Sequence, residues 1–168
     1  MPQPDLVIRA ATVADVPSIL ELIAALAEYE RIADGLVATE ERLRETLFGA
    51  SPEAEVVLAV IGGEPVGFAL FFHNYSTLLA RKGIWLEDLF VRPAHRGRGI
   101  GRRLLEHLAR LAVERECGRL EWWVLDWNES AIRFYRSVGA EPQSDWTTFR
   151  VTGEALRELA GAADGAER

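Results

Sequence analysis

At 168 residues the chain has the length of one domain with a sizeable core. Its 49% apolar and 27% charged residues are an ordinary soluble composition, and no apolar run reaches membrane-spanning length. A net charge of −7 excludes a basic face for nucleic acid and adds a weak bias towards a cationic small molecule.

Met1 to Arg9 lack a positive region followed by a long apolar core, so no secretory signal is expected. Cys117 is the single cysteine, which forbids an internal disulfide and fits a reducing, cytoplasmic setting. It reads as a small buried residue rather than a nucleophile.

The first strand is "LVIRAA". Thr12 and Asp15 then form a capping-box pattern before Val16, Ile19, Leu20, Ile23, Leu26 and Ala27 at helical spacing. Thr39 caps a second helix carrying Leu43 and Leu47 and ending at Gly49. "EVVLAVI" and "PVGFALFFHNY" are strands joined by the hairpin signal "GGE". "IWLEDLFV", Ile84 to Val91, is a third long strand.

A helix is expected from about Gly101, with Leu104, Leu105, Leu108 and Leu111 on one face and Gly118 closing it. "RLEWWVL" is the next strand, and Asn128 caps a short helix holding Ala131, Phe134, Tyr135 and Val138, closed by Gly139. "WTTFRV" reads as a last strand before a terminal helix, "GEALRELA". This order describes an α/β domain with a mixed sheet: hairpins first, then a strand–helix–strand crossover. No linker interrupts it, so residues 1–162 read as one domain and 163–168 as a flexible tail.

"VRPAHRGRGIGRR" sets Gly97, Gly99 and Gly101 among arginines at the start of that helix. Bare backbone, positive charge and a helix N-terminus together suit an anion, above all a pyrophosphate. A P-loop is excluded because Arg102 and Arg103 stand where it needs Lys followed by Ser or Thr. The dinucleotide fingerprint Gly-x-Gly-x-x-Gly does not match Gly-x-Gly-x-Gly, and the early hairpins do not suit a doubly wound half.

The pattern Arg/Gln-x-x-Gly-x-Gly/Ala is met by Arg96, Gly99 and Gly101. It resembles the coenzyme A pyrophosphate loop of the GNAT acetyltransferase superfamily. "WLEDLFVRPAHRGRGIG" and "LDWNESAIRFYRSVGA" are similar to the spermidine/spermine N-acetyltransferase branch. "YST" at Tyr75 to Thr77 and the ending "FRVTGEALRELA" lean towards its thialysine N-acetyltransferase subgroup.

The resemblance implies a mostly antiparallel sheet, splayed between strands 84–91 and 119–125, with helices on both faces. It implies acetyl-CoA as cosubstrate, without metal, paired with the backbone of Leu89, Phe90 and Val91. It implies a pyrophosphate held by Arg96, Gly97, Arg98, Gly99, Ile100, Gly101 and Arg102, with Asn128 and Ser130 near the coenzyme. Tyr135 becomes the general acid, Tyr29 and Glu30 part of the amine site, and the protein a homodimer. From the residues alone Tyr135 would be a core tyrosine, and Tyr29 and Glu30 a helix-end surface pair.

Direct transfer to an amine needs a base, because a free ammonium has a pKa of about 10. Glu87 is the expected base, acting through water. Strand alternation sets it with Trp85, Leu89 and Val91 and turns Asp88 the other way, where it suits a second cationic group of the substrate. A structural ion pair is the competing role for either acid. Trp122 and Trp123 face opposite sides of their strand, with Trp122 expected at the substrate. His73, His95 and His107 are scattered and show no metal-ligand spacing.

Two departures lie on the substrate side: Ser76 stands where polyamine-specific members carry aspartate, and Leu78 where tryptophan is common. The expected acceptor is a small primary amine: a thialysine-like amino acid, a diamine or a polyamine. The competing functions are acetylation of a protein amine and acyl-CoA binding without transfer.

Overall fold

The computed structural model describes residues 5–161. The expected tail, 163–168, lies outside them. The chain divides into two compact units, Met1–Asp126 and Trp127–Arg168.

The first unit holds β1 (Leu6–Ala10), α1 (Val16–Tyr29), α2 (Glu40–Phe48), β2 (Glu55–Ile61), β3 (Glu64–Ser76), β4 (Arg81–Val91), α3 (Ile100–Glu114) and β5 (Leu120–Glu121). The strands form one sheet in the order β1-β2-β3-β4-β5. The first three pairings are antiparallel, and β5 lies parallel to β4 after the α3 crossover.

Local chemistry sets the ends of these elements. Arg9 donates to both carboxylate oxygens of Asp15 at 2.8 Å, and the Thr12 backbone N–H donates to Asp15 Oδ2 at 2.7 Å. This ties β1 to the entry of α1, and the Arg9 bond holds the Asp15 carboxyl well below the usual carboxylate range. Thr39 accepts from the Arg42 N–H and caps α2 as expected. Gly62 and Gly63 take φ of 59° and 86° between β2 and β3, the two left-handed positions of a tight hairpin.

The end of α3 differs from expectation. Glu116, not Gly118, takes the left-handed turn at φ 56°. The Cys117 N–H reaches the Ala112 carbonyl at 2.8 Å and the Glu116 N–H reaches Val113 at 3.1 Å. Those two bonds outweigh the cost of a non-glycine residue there.

The sheet is apolar on both faces. Val16, Ile19, Leu22, Leu26, Leu43 and Leu47 of α1 and α2 form one core with Val56, Leu58, Val60, Phe68 and Phe90. The alternate sheet residues Val57, Ala59, Ala69, Phe71, Ile84 and Leu86 are also buried and point to the other face. Ile100, Leu104, Leu105, Leu108 and Ala112 are the buried stripe of α3.

The expected strand 119–125 is mostly not a strand. β5 pairs with β4 only at Ile84↔Leu120 and Trp85↔Glu121. From Leu86 to Val91, β4 therefore has no parallel strand neighbour among the described residues.

The second unit holds α4 (Glu129–Ser137) and α5 (Gly153–Leu159). Asn128 caps α4 by accepting from the Ala131 N–H at 3.3 Å, and Gly139 at φ 88° closes it. "WTTFRV" forms no strand, contrary to its pattern. β-propensity needs a partner edge, and this unit has no strand among its described residues.

Candidate active site

Glu87 is the extra residue of a β-bulge. Leu70 faces Asp88 and Phe71 faces Leu86, so β4 has one more residue than β3 across that interval. The bulge breaks the alternation expected from the sequence. Trp85 faces Phe72, and Phe72 and Leu70 share a face of β3, so Trp85 and Asp88 lie on the same face. Phe90, opposite Phe68, continues that face into the α1 core. The expectation that Asp88 points away from the Trp85 face is therefore corrected. Leu89 and Val91 turn to the opposite face instead.

Glu87 is exposed, and the Trp85 indole N–H donates to its carboxylate at 2.8 Å. Trp123 meets Trp85 edge-on, with ring centroids 5.2 Å apart at 88°. Trp123 thus reaches the acidic face through Trp85. Trp122 is half-buried.

Asp88 is half-buried beside these groups. Burial, then the charges of Glu87 and Glu30, push its carboxyl up to about 7. Glu30 is itself raised by burial. Glu30 caps the C-terminal end of α1, directly after Tyr29. The structure thus brings both Glu30 and Glu87 within electrostatic reach of Asp88.

The loop after β4 follows from its glycines. Gly97 and Gly99 both take φ 75°, which glycine alone adopts without strain. A Cβ on either would meet no protein atom within 4 Å, so the space beside the loop is open. Gly99 is the N-cap of α3 and has no side chain to cap it. The first intrahelical bond there is from the Arg103 N–H to Gly99 at 3.0 Å. The N–H groups of this first turn lie at the positive end of α3, and the exposed Arg98 and Arg102 add positive charge. This donor set fits the pyrophosphate of a coenzyme A ester.

Arg96 is placed differently from a simple loop cation. Its Nε donates to the Val91 carbonyl at 2.9 Å. Its guanidinium lies 4.5 Å over the Tyr29 ring and 5.4 Å from the Phe90 ring. Tyr29, expected on the amine side, therefore touches Arg96 of the glycine loop. Arg92 is directed elsewhere, to Glu21 of α1 at 3.3 Å.

In the second unit Tyr135 is half-buried on α4, its ring 5.4 Å from Phe134. Ser130 is exposed in the first turn of that helix, and Asn128 is its cap.

Residues 20–140 match the acetyltransferase (GNAT) family. The chain is 41% identical over 165 residues to a thialysine N-epsilon-acetyltransferase of Bos taurus, covering 92% of this chain and 96% of that protein. It is 34% identical to an L-ornithine N5-acetyltransferase of Arabidopsis thaliana, over 90% of this chain and 86% of that one. An integron cassette protein from the mobile metagenome of V. cholerae superposes at a TM-score of 0.79 and 28% identity, across 92% of this chain and 97% of that structure. Glycine loop, half-paired β4 and family match agree: the chain belongs to the GNAT family of acetyltransferases and is an N-acetyltransferase.

Proposed function

We propose that the protein acetylates the side-chain amine of a small cationic amino acid or a diamine, with thialysine and L-ornithine the foremost acceptors. The observation that carries this reading is Asp88 within electrostatic reach of both Glu87 and Glu30, with Glu87 held by the Trp85 indole and Trp85 edge-on to Trp123. Three carboxyls suit a substrate with more than one positive charge, and the relatives named above act on such amines.

Acetyl-CoA supplies the acetyl group when bound. In this reading Leu89, Phe90 and Val91 offer it backbone, and Arg96 to Arg102 with the first turn of α3 hold its pyrophosphate. Asn128 and Ser130 flank it. Glu87, oriented by the Trp85 indole, removes the ammonium proton directly or through water. Asp88 and Glu30 hold the second positive charge of the acceptor, and Trp122 and Tyr29 line the amine side. Tyr135 returns a proton to the leaving thiolate. No residue forms a covalent intermediate.

We also take residues 1–162 to act as a single domain, since the family match runs across Asp126 and Trp127. We read the protein as a cytoplasmic homodimer. The exposed Trp146 and Phe149 support the dimer. The lone Cys117 supports a reducing compartment.

Mass spectrometry of L-ornithine and thialysine after incubation with enzyme and acetyl-CoA tests the function. The reading expects one acetyl group on the side-chain nitrogen. An α-amino product, or none from either amine, would overturn the assigned acceptor.

A further inference from the structure

We propose that Tyr29 is a positioning residue for the coenzyme: its ring is the platform that holds Arg96 ready for the pyrophosphate. The proposal rests on the reading of the glycine loop as the coenzyme site. Arg96 sits between two fixed groups. Nε is bonded to the Val91 carbonyl at 2.9 Å, and the face of the guanidinium covers Tyr29 at 4.5 Å. These contacts use Nε and the ring face, and neither uses the Nη donors. An arginine held this way meets a phosphate with its fork already oriented, which lowers the ordering cost of binding.

The platform belongs to another element. Tyr29 is the last residue of α1 and precedes Glu30, whose charge acts on Asp88. One side chain thus touches the coenzyme loop while its neighbour belongs to the acidic face. Coenzyme and amine affinities are then coupled through the end of α1, and the coupling is reciprocal.

Calorimetry of acetyl-CoA binding, without an acceptor, tests this. Tyr29→Leu should weaken acetyl-CoA about two- to fivefold, the scale of an exposed cation–π contact. Tyr29→Phe, which keeps the ring, should restore the affinity. Arg96→Lys, which loses the flat stack and the Nε bond while keeping charge, should weaken binding at least as much. Added to Arg96→Ala, Tyr29→Leu should have no further effect. Parent-like affinity in Tyr29→Leu or in Arg96→Lys would overturn the platform. Equal losses in Tyr29→Leu and Tyr29→Phe would do the same. If the parent itself does not bind acetyl-CoA, the coenzyme-loop reading fails, an outcome distinct from those.

Discussion

The indole N–H of Trp85 donates to the Glu87 carboxylate at 2.8 Å, from two residues back along β4. Trp85 and Glu87 are two residues apart on one strand, and the bulge at Glu87 adds Asp88 to the Trp85 side. The indole bond gives an exposed carboxylate a fixed direction. If Glu87 is the base, Glu87→Gln should lower kcat on the order of 10²- to 10⁴-fold, the usual range for a general base. Trp85→Phe keeps the ring contact with Trp123 but removes the donor. A smaller drop, roughly tenfold, is expected in kcat, with the KM for acetyl-CoA unchanged. Steady-state kinetics on both variants decide this, and a Glu87→Gln enzyme with parental kcat would remove Glu87 as base.

Asp88 makes a prediction about pH. Its carboxyl titrates near 7 in the fold, against about 3.9 when unfolded. A raised folded value means that the native state binds the proton more tightly. The associated stability is present below about pH 4 and is lost as pH rises through 7. Asp88→Asn removes that loss. Its melting temperature should exceed the parent's at pH 8, by roughly 2–4 °C for each kcal/mol relieved, and the gap should close towards pH 4. Melting curves across pH 4–8 show either this convergence or, against the account, a constant offset.

The loop glycines are not equivalent. Gly99 has φ 75°, while Gly101 lies in the first turn of α3, where a Cβ would sit 4.0 Å from the Val91 side chain. Gly99→Val forces a β-branched residue into the left-handed region at a cost of about 1–3 kcal/mol. It should lower both stability and acetyl-CoA affinity. Gly101→Ala should fold at least as well as the parent, by up to about 1 kcal/mol, and still bind the coenzyme. Calorimetry and melting on the pair separate the two, and normal affinity in Gly99→Val would count against the loop.

Tyr135→Phe leaves the α4 helix and its Asn128 cap intact. As the proposed acid, it should lose kcat on the order of 10²-fold while acetyl-CoA affinity stays within twofold. Unchanged turnover would return Tyr135 to a packing role.

Much of this was legible in the sequence because its signals are local. Thr12, Thr39, Asn128 and Gly139 act within one turn of their own position, and each does so in the structure. The glycine loop was legible because φ 75° and open backbone demand glycine. The resemblance of the Leu-Glu-Asp, Trp-Asn and Phe-Tyr motifs to this family is borne out by the match across residues 20–140.

What was not legible depends on pairing. A bulge has no residue signature at Glu87, so alternation assigned Asp88 to the wrong face. "RLEWWVL" and "WTTFRV" carry strand propensity throughout, yet of these residues Leu120 and Glu121 alone pair as a strand in the described structure. The Trp123–Trp85 contact, and the stacking of Arg96 on Tyr29, join residues far apart in the chain. Aromatic residues near an expected acid were the one available signal for the Trp123–Trp85 contact.

The central claim is the transfer of acetyl from acetyl-CoA to a small cationic amine, and thiol release across an acceptor panel tests it most directly. The panel is thialysine, L-ornithine, lysine, diaminopropane, spermidine, spermine and an N-terminal peptide. The account predicts the highest kcat/KM with thialysine or ornithine, and little release with spermine or the peptide. Release driven by the peptide alone would contradict it and move the activity to protein amines.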